Sequence, residues 1–341
     1  MAEIGSTRKM GGLSVLTWNV WFGNRAEPKS RFRLRCRAIL KSLGRTRADV
    51  ICLQEVVPQF LQMIQKAKWV REGYDASCRL VYGYGVVMLV RKGLECEFTK
   101  VPLPTRMGRD LHLGQCTLRR SGKAGQGGGG QREDAKNASH APITFTVGTV
   151  HLESLHSART RKQQLVKCKE ALDAKAGKKR AENSLLVGDF NFCSYRNFNK
   201  NTTPLENNML EETMPDFKDV WADLHPSAKG YTFDSENNSI IKKFERMRYD
   251  RVMARLSGME TRSILLYGTT KVCLIRTQKK EMGEKKTSAV GLDVDKSTHL
   301  SDHFGLLVCL IPVEEDRTRG GNSSLSTAEN MVGDERENSK A

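Results

Sequence analysis

The chain has no CxxC pair, no GxSxG segment and no apolar run approaching the roughly 20 residues a membrane helix needs. These absences exclude a Cys-paired zinc module, the usual serine-nucleophile elbow and a helical membrane span. The nine cysteines are odd in number and scattered, so a reducing compartment is expected rather than a disulfide framework. The opening MAEIGSTRKM lacks the apolar segment of a secretory leader, and none is expected. The Asn-x-Ser/Thr matches at Asn137, Asn201, Asn237 and Asn322 are then chance. Acids are scarce relative to bases: 39 Asp and Glu stand against 56 Lys and Arg, for a formal charge of +17. Such a balance suits a polyanionic partner, nucleic acid or an anionic membrane surface. The motifs below favour nucleic acid.

What is present is organised as one α/β domain with two polar interruptions. Residues 1–11 read as a flexible leader, 12–313 as the ordered domain and 314–341 as a disordered tail. Gly127–Gly130 sit in a polar stretch at about 119–142, which reads as a flexible insertion. A second, basic insertion spans about 271–297. Residues 29–43 place Phe32, Cys36, Ile39, Leu40 and Leu43 on one helical face. Pro58 opens a second helix carrying Phe60, Leu61, Ile64 and Trp69, and the stretch after Ser157 reads as a basic helix with Leu165, Cys168 and Leu172 inward. Short apolar runs near residues 13, 49, 86, 143, 184 and 305 read as strands, leaving parallel and antiparallel pairing both open.

Several of these runs end in, or start from, polar residues: LSVLTWN at Asn19, DVICLQEV at Glu55, ITFTVGTVHLES at His151 and Ser154, SLLVGDFN at Asp189 and Asn191, and LSDHFGLLVCL at Asp302 and His303. A strand that stops at a polar residue presents it at the mouth of a sheet. Glu55 is a hard oxygen ligand suited to Mg²⁺. Asp189 and Asn191, two apart, can share a face if the strand continues through them; the competing reading is a tight turn with local backbone bonds. His303 can donate to a phosphoryl oxygen as charge develops, and such a histidine is usually steered by a carboxylate, for which Asp250 in MRYDRVM is the candidate. His151 is a second phosphate donor. His112, His140, His225 and His299 have no comparable setting.

TWN, LQEV, HLES, GDFN, a Tyr-Asp-Arg strand and SDHFGLL, in this order, resemble the endonuclease/exonuclease/phosphatase superfamily over about residues 13–312. TWNVWFG, HLES, TRMGRDL, YTFD and MRYDR are most similar to its tyrosyl-DNA phosphodiesterase 2 family. The resemblance implies a four-layer α/β sandwich, two mixed sheets face to face and flanked by helices, with the active site at one end of the sheets. It implies a Mg²⁺-dependent enzyme, with Mn²⁺ as a substitute, that cuts the bond between a trapped topoisomerase tyrosine and a DNA 5′ end. The implied partner is DNA with a 5′-tyrosyl-linked protein or peptide, as a single-stranded 5′ end. No membrane partner is expected; a monomer is, and a nuclear address with the cytoplasm as a second one. Asn19, Glu55 and Asp302 would form the metal site, His151 and Ser154 would contact the phosphate, Asp189 and Asn191 would serve the attacking water, and His303, steered by Asp250, would stabilise the transition state. Trp221, Phe233 and Tyr249 map to the family's aromatic wall, with core packing as the competing reading, above all for Trp221, and with Tyr82 or Tyr84 near the mouth.

Three positions depart from the family pattern. Trp21 stands where an acid is common, and His156 and Cys193 stand where arginines are; Arg159 or Arg196 is the candidate replacement for the lost charge. Two other readings compete: another enzyme on the same scaffold (an abasic-site endonuclease, a deadenylase, or a lipid or inositol phosphatase), or a catalytically silent protein that binds DNA ends.

Overall fold

Period-2 alternation along the central strands decides which layer each residue enters. In the computed structural model, which describes residues 2–23, 27–119, 142–176, 183–274 and 297–313, the strands in chain order are β1 (Leu13–Asn19), β2 (Val50–Val56), β3 (Tyr74–Ala76), β4 (Gly85–Arg91), β5 (Glu95–Pro102), β6 (Asp110–Leu118), β7 (Ile143–His151) and β8 (Asn183–Asp189), followed by β9 (Lys218–Asp219), β10 (Phe233–Asp234), β11 (Arg246–Met247), β12 (Asp250–Arg255), β13 (Met259–Tyr267), β14 (Val272–Cys273), β15 (Ser297–Thr298) and β16 (Gly305–Pro312). The helices are α1 (Ala2–Lys9), α2 (Lys29–Thr46), α3 (Pro58–Lys66), α4 (Lys68–Gly73), α5 (Ala158–Ala176), α6 (Met209–Thr213) and α7 (Val220–Leu224). Two six-stranded sheets result, ordered β13-β16-β1-β2-β4-β3 and β5-β6-β7-β8-β12-β9. Each is mixed: β1–β2 and β7–β8 are parallel pairs among antiparallel ones.

Leu13, Val15, Val50 and Cys52 of the first sheet share a core with Phe145, Val147, Leu185, Val187 and Val252 of the second. Their neighbours point the other way. Leu16, Trp18 and Ile51 pack under Ile39, Leu43, Phe60 and Ile64 of α2 and α3, while Leu113 and Leu186 pack under Leu165, Cys168 and Leu172 of α5. Helix, sheet, sheet, helix is the four-layer sandwich the resemblance implied. Burying such side chains stabilises by about 1.5–3 kcal/mol each.

Three expectations need correction or placement. Residues 2–9 are not a loose leader: α1 buries Ile4 in the outer core and Arg8 pairs with Asp49. The Pro58 helix stops at Lys66, since Ala67 has extended geometry (φ −65°, ψ 126°), so Trp69 lies in a separate short helix, α4. The glycine-rich insertion, the body of the basic insertion and the tail fall outside the described residues. The basic insertion is bracketed by β14 and β15, where Val272 pairs with Thr298.

Candidate active site

The inward faces that build the inter-sheet core become polar at one end. Below the mouth, Gln54 Nε2 donates to Thr17 Oγ1 at 3.1 Å and to Thr149 Oγ1 at 3.0 Å, joining the sheets. One step further along the same faces come Asn19, His151, Asp189 and Asp250. Register makes the last three neighbours: His151 opposes Asp189 across the parallel pair, and Asp250 opposes Asp189 across the antiparallel one. Gly188 precedes Asp189 at φ +139°, where an added Cβ would meet the Val150 carbonyl at 2.0 Å. Only glycine lets the strand approach so closely.

Asp189 Oδ2 is the centre of the cluster. Asn19 Nδ2 donates to it at 3.0 Å, and the Nε2 atoms of His151 and His303 lie 3.5 and 3.9 Å away. Burial alone would raise the Asp189 pKa, but the two imidazoles, the Asn19 amide and the Asn191 N–H hold it below the ordinary carboxylate value. It stays ionised, fit to orient water.

The histidines have opposite characters. His151 is buried beside Arg109, whose Nη1 is 3.1 Å from Nδ1; burial first and the guanidinium with it hold His151 down to about 3. The ring is neutral, and Nδ1 accepting from arginine leaves the proton on Nε2, facing Asp189. His303 would also be lowered by burial, but Asp250 and Asp189 raise it well above its ordinary value. Its Nδ1 donates to Asp250 Oδ2 at 2.8 Å, as the sequence predicted. Trp18 Nε1 donates to the His303 carbonyl, and Ser301 Oγ accepts from His303 N–H while donating to the Asn19 carbonyl. The SDH turn is thus knitted to β1.

Glu55 reaches the mouth by a different device. Alternation would send it outward between Leu53 and Val56, but it has φ +59° and the β2–β4 register shifts there. Its carboxylate accepts from Asn19 Nδ2 at 3.1 Å and from Phe22 N–H at 3.1 Å. Burial pushes Glu55 above its ordinary value. Burial likewise pushes Asp302 up to about 7, with His303 opposing and Glu55 adding to the rise. Two carboxylates held where their charge is disfavoured fit a hard cation. Mg²⁺ takes one or two carboxylates with waters and substrate phosphate; among the described residues there is no cluster of three or more His, Cys, Asp or Glu that could hold a metal.

Several expected residues take other roles. Asn19 is not an evident metal ligand: its amide nitrogen faces both carboxylates and its Oδ1 accepts from Trp21 N–H, so it joins Glu55 to Asp189. For Asn191 the turn reading holds. The strand ends at Asp189, and Asn191, at φ +57°, gives its N–H to Asp189 Oδ1 and an amide hydrogen to the Leu152 carbonyl. Trp221 is no wall residue; it is buried in the inter-sheet core, its Nε1 donating to the Ala228 carbonyl. Phe233 and Tyr249 do flank His303, with ring centroids 5.2 and 6.1 Å away. Tyr84 lies 6.1 Å from His151, whereas Tyr82 is 86% exposed.

Sequence reasoning missed Arg109. Its guanidinium meets His151, donates to Ser154 Oγ at 2.9 Å and lies 5.1 Å from the Tyr84 ring. The buried Glu153 of HLES holds the loop that presents it, accepting from Thr105 Oγ1 and Arg106 N–H. The signal was TRMGRDL, which had no role assigned. Arg109 is the cation beside His151 and Ser154; Arg159 instead borders a cleft with His156 and Phe198.

Comparison with solved structures finds the same fold. TDP2 from D. rerio complexed with a single-strand DNA product aligns over 88% of this chain and 98% of its own, at TM-score 0.61 and 20% identity. The human Nocturnin catalytic domain with bound sulfate aligns over 89% and 94%, at 0.57 and 14%. A mannosyl-6-phosphatase from Bacteroides thetaiotaomicron aligns over 88% and 99%, at 0.59 and 16%. Comparison with curated proteins finds no match. The model of the Endonuclease/Exonuclease/phosphatase family matches residues 16–272, most of both sheets and four of the five motif-bearing runs, and the chain belongs to that family.

Proposed function

We propose that the protein is a Mg²⁺-dependent phosphodiesterase that hydrolyses 5′-tyrosyl DNA ends to leave a 5′-phosphate. The observation that carries the reading is the convergence of Asn19, His151 and His303 on Asp189 Oδ2, with Glu55 and Asp302 beside it. Glu55 and Asp302 would hold Mg²⁺, which when bound would supply Lewis-acid stabilisation of charge on phosphoryl oxygen. Asp189, kept ionised, orients the attacking water with Asn19 holding it in place. The protonated His303 donates Nε2–H towards a phosphoryl oxygen, and neutral His151 donates its own Nε2–H from the other side of Asp189. Preorganised donors of this kind are each worth roughly 2.7–4 kcal/mol of barrier. A phenol with pKa ~10 leaves without strong acid help. Phe233 and Tyr249 offer faces on which an unpaired base can stack, at ~1–3 kcal/mol per base. The similarity to TDP2 with single-stranded DNA and the +17 charge support the substrate class.

The test is turnover of single-stranded DNA carrying 5′-phosphotyrosine, with Mg²⁺, with chelator and with Asp189→Asn, beside abasic duplex, sugar phosphate and lipid phosphodiester controls. Metal-dependent release of 5′-phosphate DNA, falling about 10³-fold or more in the variant, is expected. Cleavage of a control alone would move the substrate and keep the hydrolase. End-binding without turnover on any substrate would leave a silent binding protein.

A further inference from the structure

Helix α2 reads KSRFRLRCRAILKSLGRT, seven cations and no carboxylate. One cation, Arg35, is buried and committed: it pairs with Glu27 and donates to the carbonyls of Val20, Trp21 and Leu300. Lys29, Arg33 and Arg37 are exposed at four-residue steps, so they stand about 6 Å apart along one face. Together with Lys66 of α3 they line a groove of about 680 Å³ that also contains Phe22 and Phe32. The acid in its wall is Glu27, already held by Arg35. Among the described residues, none of these four cations has an ion-pair partner. Like charges one turn apart disfavour a helix, so this row is retained against a cost.

The groove ends at the catalytic mouth. Phe22 donates its N–H to Glu55, and its ring lies 5.1 Å from Tyr84. We propose that this groove is the track for a single strand of nucleic acid, its phosphates following Lys29, Arg33 and Arg37 with Lys66 opposite, entering the active site past Phe22. A regular row of cations meets a polymer whose charge repeats regularly. The half-exposed Phe22 and partly exposed Phe32 give unpaired bases a stacking face, and an acidic peptide carries no flat ring at each charge to use them. The proposal rests on the reading that the site acts on a nucleic-acid end, but it concerns binding alone.

The experiment titrates the full chain against unmodified single-stranded DNA by fluorescence anisotropy over a range of salt. Arg33→Gln/Arg37→Gln/Lys66→Gln is compared with Lys92→Gln/Arg119→Gln/Arg262→Gln, which removes equal charge from other exposed positions. The groove variant should lose about tenfold in affinity at ~50 mM salt, and its log–log salt slope should fall by about 2, at ~0.7 per phosphate contact. The control triple should lose less than about threefold. Equal losses would reduce the effect to net charge and overturn the track; so would no loss in the groove variant. Tighter competition by an acidic peptide than by DNA of equal charge would overturn the nucleic-acid assignment. Since nothing is turned over, the result stands whether or not tyrosyl ends are cleaved.

Discussion

The two sheets bring their polar groups to the mouth by different routes. In the second, His151, Asp189 and Asp250 are register neighbours on an unbroken inward alternation, so each is placed by the same ladder that builds the core. In the first, only Asn19 arrives that way. Glu55 needs a left-handed bend and a register shift, and Asp302 and His303 come from a turn pinned by Ser301 and Trp18. On the proposed reading, the groups that would orient water and donate to phosphate sit mostly on regular strands, and the carboxylates that would hold the metal sit on irregular backbone. Rigid placement would fix the direction of attack, and irregular placement would let carboxylates lean towards a cation.

That contrast predicts an order of sensitivity. Glu55→Gln keeps an oxygen acceptor for Phe22 but removes the charge from the bent position. Turnover should drop about 10²–10³-fold and the Mg²⁺ midpoint should rise; an unchanged midpoint would move the metal away from Glu55. Asp250→Asn attacks the regular side through His303. Because Asp250 raises the His303 pKa, the active imidazolium persists below that raised value and is lost as pH climbs through it. In the variant the alkaline fall in kcat/KM should begin at lower pH, with about a 10²-fold loss at neutrality; a profile that falls in height without moving would deny the steering role. Gln54→Leu cuts the join beneath both halves, leaving the Thr17 and Thr149 hydroxyls short of a partner. About 1–3 kcal/mol of stability should go in thermal unfolding, with turnover changed less than about threefold. A larger loss of activity than of stability would mean that the join also sets the spacing of the two halves.

The same contrast explains what could be read in advance. Asp189 and His151 were legible because each ends an apolar strand-like run in a polar residue, and the Asp250–His303 pair because a donor histidine needs a carboxylate. The bend at Glu55 was invisible: nothing in LQEV announces a positive φ at a non-glycine residue. Arg109 was hidden because its position depends on Glu153, 44 residues on, gripping its loop. Trp221 stayed open between wall and core because an aromatic residue in a short helix reads alike as either until its neighbours are known, and the structure decides for core. The helix at residues 2–9 was missed because what covers Ile4 comes from far along the chain: residue 4 packs into a cluster containing Leu307 and Cys309.

The parallel pairing of β7 with β8 has a consequence for quality control. A strand's side chains repeat every two residues, so slippage by one position turns its whole inward set outward. Slipped by one, β7 would offer Val150 to Asp189 and drive His151 towards the layer under α5. Val147 would then fall into the slot of Gly148, where even a Cβ comes within 3.1–3.2 Å of Leu111, Leu186 and Leu113, so a slipped chain would lose packing together with the His151–Asp189 pairing. Specific activity therefore counts correctly threaded molecules, and a refolded batch can be graded for fidelity by an assay that was designed to measure chemistry.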